Sequence, residues 1–390
     1  MKGKMEKNKI LLVFGTRPEA IKMAPLCHEF QAQKGFKSII CVTAQHREML
    51  DQVLNIFDLI PDVDLNLMKK GQDLFDITSS VMLQMREVLK EYEPDIVLVH
   101  GDTTTAMATS LACFYSGVSV AHIEAGLRTH DVFAPFPEEF NRRITSITAN
   151  LHFAPTRLSK KNLINEKVDE ANILITGNTV IDSLHWVLNK IETTPSVQTR
   201  INSVLDEHLL FDWQSSKYVL ITGHRRENFG DGFLNICEAI SELASKYAEV
   251  HFIYPVHLNP NVQKPVNALL ANFSNVHLIP PLDYEPFVYL LKSCYLVLTD
   301  SGGIQEEAPS LGKPVLVMRD VTERPEAIEA GTVKLVGAKK TNIVSHIDKL
   351  LTNQDYYEEM SRSHNPYGDG KACEKIVKYI KDKLNGSFEK

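Results

Sequence analysis

The stretch ILLVFGTRPEAIK (10–22) joins a five-residue apolar run to a turn glycine and then to a segment of helical character. A short apolar run without polar alternation is the pattern of a strand buried on both faces, as in a parallel sheet. Pro18 suits the first turn of the helix that follows, where its missing N–H costs nothing, and Thr16 or Arg17 would stand at the cap. The same unit recurs outward from here, with strands expected at SIICV (38–42), DIVLV (95–99) and SVAHI (119–123). Between them, 73–91 places Leu74, Ile77, Val81, Met85, Val88 and Leu89 on one helical face. The pattern restarts after residue 215 with KYVLIT (217–222), VHFIYPV (250–256), NVHLIP (275–280), YLVLTD (295–300) and KPVLVM (313–318). A polar stretch with its own helix, 189–216, lies between the two sets. Two blocks of strand–helix alternation predict two doubly wound α/β domains, with ligand in the cleft between them. At the end of the chain Ala372, Ile376, Val377, Ile380 and Leu384 recur at helical spacing, which predicts an amphipathic helix packed back on one of the domains.

Composition limits what such a protein can do. A chain of 390 residues with 44% apolar content has ample core for two domains. A net charge of −7 provides no basic field for nucleic acid or an anionic membrane, so any anion site must be local. The six cysteines are scattered without a CxxC pair, which argues against a disulfide framework or a structural zinc and favours a reducing cytoplasm. No apolar run approaches the length of a membrane span, and the N-terminal run is too short for a signal peptide. The expectation is a soluble cytoplasmic protein.

Three strand ends carry features of an anion site. GTRPEAIK (15–22) offers the N–H groups of a helix start together with Arg17 and Lys22, although a solvated Arg–Glu–Lys helix start explains it equally well. GHRRENFGDG (223–232) puts His224 beside two arginines at a strand mouth. In SGGIQEEAPSLGKP (301–314), Ser301 can cap a helix and Gly302–Gly303 let backbone donors approach a diphosphate. Glu306 and Glu307 then either complement the helix dipole or accept hydrogen bonds from ribose hydroxyls. The dinucleotide fingerprint GxGxxG is absent from the chain.

Asp102 in HGDTTT (100–105), Glu124 in HIEAGLRT (122–129) and Glu138 in FPEEFNRR (136–143) fall within a short span of the first block. Asp102 and Glu124 each follow an apolar run and so belong at a strand end, while Glu138 follows two prolines in an expected loop. Carboxylates repel phosphates, so acids beside an anion site point to proton transfer. Any one of them taken alone reads as well as a capping or salt-bridged acid, with Arg128, Arg142 and Arg143 as available partners.

GTRPEAIKMAP, HGDTTT, HIEAGLRT, PFPEEFNRR, TGNTVID, TGHRREN, DSGGIQEEAPSLGKPVL and TERPEAIEAGT, in this order from about residue 10 to 370, together resemble the non-hydrolysing bacterial UDP-N-acetylglucosamine 2-epimerases. Thr129–His130 and Val321 depart from the common pattern. The resemblance implies a GT-B fold: two Rossmann-like α/β domains, 1–178 and 179–370, with the active site in the inter-domain cleft and the helix at 371–386 packing back on the N-terminal domain. It implies interconversion of UDP-N-acetylglucosamine and UDP-N-acetylmannosamine as a precursor supply for surface polysaccharide. Asp102, Glu124 and Glu138 would be the acid/base residues. Arg17, Lys22, His224, Ser301, Gly302, Gly303, Glu307 and Arg324 would contact the nucleotide sugar, with His224 counted among the catalytic groups. Leu282 and Phe287, in PPLDYEPF (280–287), would lie against the uracil. No NAD and no metal is implied. A homodimer is, and some relatives bind a second UDP-N-acetylglucosamine as activator, for which QHREML (45–50) marks the expected neighbourhood.

The chemistry explains why such residues are needed. A C2 proton of a sugar nucleotide is not adjacent to a carbonyl. Breaking the bond from C1 to UDP first makes that proton acidic, and a carboxylate can then remove it to give a glycal and free UDP. Cationic and backbone donors must hold the departing diphosphate, and acids must reach C2 from both faces. A GT-B glycosyltransferase would need one base and an acceptor groove instead. A hydrolysing epimerase would release the free sugar.

Overall fold

The structure, a computed structural model, describes residues 7–44, 47–69 and 71–385. It divides into two compact units, residues up to Trp186 together with Tyr367 onward, and Val187–Pro366.

In the first unit the described strands are β1 (Asn8–Phe14), β2 (Phe36–Val42), β3 (Val63–Asp64), β4 (Ile96–His100), β5 (Ser119–Ile123), β6 (Leu151–Ala154) and β7 (Ile173–Ile175). They form one parallel sheet of order β3-β2-β1-β4-β5-β6-β7. Ile10 to Phe14 and Ile96 to Val99 are fully buried, as central strands covered by helices on both faces must be. The short outer strands β3, β6 and β7 add to the four expected ones. Two to four residues are too few to show a periodicity of their own, and here sheet pairing makes them strands.

The order reverses direction between β1 and β4, so the loops after these two strands diverge and leave a crevice at their carboxyl ends. That crevice is where the GTRPEA and GDTTT loops lie. The helix Ala372–Asn385 belongs to this unit. Its first N–H groups, from Ala372 and Cys373, donate to the Asp182 carboxylate at 3.2 and 2.8 Å. Farther along, the Tyr379 hydroxyl donates to the Ala171 carbonyl, and its ring meets Phe153 edge-on at 5.8 Å.

The second unit holds β8 (Tyr218–Thr222), β9 (His251–Pro255), β10 (Val276–Ile279), β11 (Leu296–Thr299), β12 (Val315–Val317) and β13 (Val333–Leu335). Its parallel sheet runs β10-β9-β8-β11-β12-β13, the same architecture one strand shorter, with the reversal between β8 and β11. The polar stretch expected to hold one helix carries the end of one, Thr179–Thr193, and the whole of a second, Pro195–His208. Among the described residues no helix is long and apolar enough to cross a membrane, and all six cysteines are free and buried.

Candidate active site

In the first unit, β1 delivers the chain to Gly15, where a Cβ would lie 1.9 Å from Thr43 Oγ1. Only glycine fits so close an approach. Thr16 caps the helix Arg17–Ala32, and Glu19 closes a capping box with it. The Glu19 carboxylate accepts the Gly15 and Thr16 N–H groups at 3.0 and 2.8 Å. The expected anion cradle therefore does not form at these donors, because a side chain of the same helix already occupies them. Arg17, half-buried, makes no side-chain hydrogen bond among the described residues and remains available as a cation.

One turn on, the Lys22 ammonium pairs with Glu124. Glu124 follows β5 directly and adopts a left-handed backbone, φ 62°, an uncommon conformation outside glycine that turns its side chain off the strand path. Its Oε2 also accepts from Asn178 Nδ2 at 2.8 Å and faces His100 Nε2 at 3.7 Å. That His100 nitrogen is buried without a hydrogen-bond partner among the described residues. Burial pushes His100 down to about 4, against the pull of Glu124 and together with the push of Lys22, so the ring is neutral at neutral pH.

Asp102 stands two residues past β4 and pairs with the Arg142 guanidinium. Asn141 Nδ2 holds the Asp102 carbonyl at 2.9 Å. Glu138 is not in a loop: it is the first residue of the helix Glu138–Thr148. The prolines at 135 and 137 end just where that helix begins, and an acid in the first turn suits its dipole. Its neighbour Glu139, fully buried, pairs with Arg142 at 3.2 Å and Arg143 at 3.0 Å. Arg128 pairs with Glu166. Of the three arginines considered, only Arg142 thus reaches one of the candidate acids. Glu138 Oε2 is buried and accepts no hydrogen bond among the described residues.

These side chains converge. One cavity of about 370 Å³ is lined by Lys22, His100, Asp102, Glu124, Glu138 and Asn141 among others, Glu19 and Thr103 included. Three of the four carboxylates that line it, the three expected from the sequence, are in three different states. Asp102 is tied to a guanidinium, Glu124 to an ammonium and an amide, and Glu138 has an oxygen to spare. His100, Asn141, Asn178 and Glu19 were not picked out from the sequence. His100 and Glu19 lie within the HGDTTT and GTRPEAIK strings, where a strand end and a capping box disguise them.

In the second unit the loops after β8 and β11 meet over Asp300, which is fully buried. Its Oδ2 accepts the N–H groups of His224 and Arg225, each at 2.8 Å, and so shapes the turn that presents His224. His224 Nδ1 lies 3.6 Å from Asp300 Oδ1, and its ring stacks on His257. Burial lowers the His224 pKa, with Asp300 opposing and His257 and Arg225 assisting. Asp300 was not singled out from the sequence, since the last residue of an apolar run reads simply as a strand end.

Ser301 does not cap the helix Ile304–Ser310. Gly303 occupies that position, and the Ser301 N–H is turned back onto Thr299 Oγ1 at 2.9 Å. Gly302 lies under the Arg324 guanidinium, where a Cβ would approach Nη1 to 3.0 Å. Arg324 is held by Glu306 at 2.8 Å and by Glu323 at 3.1 Å. Of the two glutamates, Glu306 therefore orients a cation. Glu307 Oε1 accepts the Tyr284 hydroxyl at 3.0 Å, which brings the PPLDYEPF segment with the half-buried Leu282 and Phe287 to the Gly302–Gly303 turn. Among the described residues no group of three or more His, Cys, Asp or Glu is placed to hold a metal ion. Gln45 and His46 of QHREML lie outside the described residues. Arg47, at the start of the next helix, pairs with Asp51 and Asp64.

Comparison with known proteins was informative. The profile of the family described as UDP-N-acetylglucosamine 2-epimerase matches residues 28–381. The UDP-N-acetylglucosamine 2-epimerase of Campylobacter jejuni is 56% identical over 382 residues, which covers 97% of this chain and 99% of that protein. The enzyme of the same name from Escherichia coli K12 is 54% identical, over 96% of this chain and 98% of its own. Among solved structures, UDP-GlcNAc 2-epimerase from Neisseria meningitidis bound to UDP-GlcNAc superposes with a TM-score of 0.85. It is 52% identical, over 96% of this chain and 100% of that one.

Proposed function

Because this chain belongs to the UDP-N-acetylglucosamine 2-epimerase family, with two doubly wound units of the GT-B fold, we propose that it interconverts UDP-N-acetylglucosamine and UDP-N-acetylmannosamine by eliminating and re-adding UDP. The observation that carries this reading is the cavity in which Asp102, Glu124 and Glu138 meet in three different pairing states.

The reaction begins as the bond from C1 to the diphosphate oxygen breaks and UDP leaves with the electron pair. Charge grows on the diphosphate, and Arg17, Arg324, His224 and the Gly302–Gly303 backbone are the groups suited to receive it. Glu307 is suited to the ribose hydroxyls, and Leu282 and Phe287 to the uracil face. Ser301, whose N–H is held by Thr299, is suited to contribute through its hydroxyl. Glu138 takes the C2 proton, because its buried Oε2 has no hydrogen-bond partner among the described residues and is open to receive it. The electrons of that C–H bond close the C1–C2 double bond of the glycal. One carboxylate on the Asp102–Glu124 side, where Arg142 and Lys22 hold the two in place, takes a proton from water and delivers it to the opposite face of C2, while Glu138 gives its proton up to solvent. A UDP oxygen adds back at C1. No redox cofactor is needed, in keeping with a β1 turn that reads GTRPEA rather than GxGxxG.

Incubation with UDP-N-acetylglucosamine in heavy water, with no acceptor and no added cofactor, tests the proposal. NMR should show deuterium at C2 of both nucleotide sugars and a growing UDP-N-acetylmannosamine signal. Lack of exchange would overturn it in favour of sugar transfer, and accumulation of UDP with free N-acetylmannosamine in favour of hydrolysis.

A further inference from the structure

Glu19 is a buried carboxylate that the reaction above does not use, and its contacts exceed what a helix cap requires. A capping box ties its glutamate to the N-cap N–H. Here Oε2 takes that N–H from Thr16 and a second from Gly15, while Oε1 accepts the hydroxyl of Thr103, 84 positions away in sequence. Thr103 directly follows Asp102. Its oxygen also caps the helix Thr104–Ser116 by accepting the Ala106 N–H at 3.0 Å. No lysine or arginine pairs with Glu19 among the described residues, so hydrogen bonds from Gly15, Thr16 and Thr103 are its compensation. Burial raises its pKa, and the bonds from Thr103, Gly15 and Thr16 pull the other way. A carboxylate kept at such a site holds something in place.

The first two turns of one helix thus hold both loops that carry acids. Lys22 pairs with Glu124 after β5, and Glu19 holds Thr103 after β4. The two loops joined by Glu19, after β1 and after β4, are the pair that diverge at the reversal of strand order. We infer that Glu19 is a positioning residue for the epimerisation: through the Thr103 hydroxyl it fixes the turn that aims the Asp102 carboxylate into the cavity. The inference rests on the C2 epimerisation reading, and it assigns Glu19 no contact with substrate.

A double-mutant cycle on turnover tests it, with Glu19→Gln, Thr103→Val and the double variant. Thr103→Ser serves as the conservative replacement that keeps the hydroxyl. Deuterium exchange at C2 by the wild-type chain is the control, so failure of the epimerase reading is detected separately. Each single substitution should lower kcat by about 10-fold or more, leave UDP affinity within about threefold, and produce no further loss when combined. Thr103→Ser should recover most of what Thr103→Val loses. Effects that multiply in the double variant, or wild-type turnover in both singles, would overturn the inference and leave Glu19 as a helix cap alone. Should Glu19→Gln not fold, the Thr103→Val and Thr103→Ser pair decides: equal turnover in the two overturns it.

Discussion

The Lys22 ammonium on the first helix is paired with the Glu124 carboxylate, which stands in left-handed backbone at the end of β5. The pair is nearly enclosed, and Asn178 and the neutral His100 complete its surroundings. A buried ion pair broken from one side leaves an uncompensated charge. Lys22→Met should therefore raise the Glu124 pKa and lower turnover by about 10²-fold, and Glu124→Gln should lower turnover by as much. Because both changes disable one unit, the double variant should be no worse than the poorer single. Turnover measured by NMR across the four proteins checks this, and multiplying losses would contradict it.

The acids should separate by their partners. Asp102→Asn, Glu124→Gln and Glu138→Gln should each lower kcat by about 10²-fold or more while UDP still binds, as calorimetry would report. Their effects on stability should differ. Glu138 Oε2 has no partner to lose among the described residues, so Glu138→Gln should leave the melting temperature within about 1 °C, whereas Asp102→Asn weakens an ion pair with Arg142 and should lower it measurably. Wild-type turnover in all three would refute the assignment of the cavity.

The glycines of the second unit offer a steric test. A methyl group on Gly302 would press on the Arg324 guanidinium, the far end of a long side chain, whereas on Gly303 its nearest neighbour is Glu307 Oε2 at 4.0 Å. Gly302→Ala should thus displace Arg324 and weaken UDP binding by about 10-fold, with kcat at saturation less affected. Gly303→Ala fits the protein without displacing anything, so any loss of affinity there reports contact between that backbone and the ligand. Calorimetric titration with UDP, beside melting curves, separates the two.

How much of this was legible beforehand follows from the range of the interactions. The central strands were readable because burial on both faces leaves unbroken apolar runs such as ILLVF and DIVLV. Asp102 and Glu124 were locatable because each directly follows such a run. Glu138 was assigned to a loop because two prolines precede it, although proline just before a helix is a start signal as well as a breaker. The GTRPEA turn was read as an open anion cradle. Whether its N–H groups are free depends on where Glu19 points, and Thr103, on a distant strand, helps decide that. His100 and Asp300 were passed over for a related reason. Each ends an apolar run, and only the sheet order that sets β4 beside β5 and β11 beside β8 turns those ends toward Glu124 and His224.

Three buried histidines of the first unit supply a pH dependence. His100, His122 and His152 lie on β4, β5 and β6, and His122 pairs in register with His152. Burial pushes them down from 6.5 to about 4, about 3 and about 4. The groups facing them are few. Glu124 and Lys22 act on His100, the Gly101 carbonyl at 2.7 Å, Arg128 and the other two histidines on His122, and the Ala149 backbone and Arg128 on His152. The unfolded chain binds protons at these sites below about pH 6.5 while the folded chain does not, so stability is full above that pH and falls as pH drops toward 4. The loss approaches about 1.4 kcal/mol per histidine for each pH unit once the pH is well below 6.5, and comes to about 3 kcal/mol for the three together between pH 6.5 and 5.5. Trp186 lies in the first unit, against His28 and Phe57, and Trp213 in the second. In a Trp213→Phe background, fluorescence therefore follows the first unit alone. Its urea midpoint should drop from about pH 7 to about pH 5.5, and His122→Asn should remove about a third of that drop. Equal midpoints at the two pH values would show that the three rings are protonated in the folded chain or exposed to solvent.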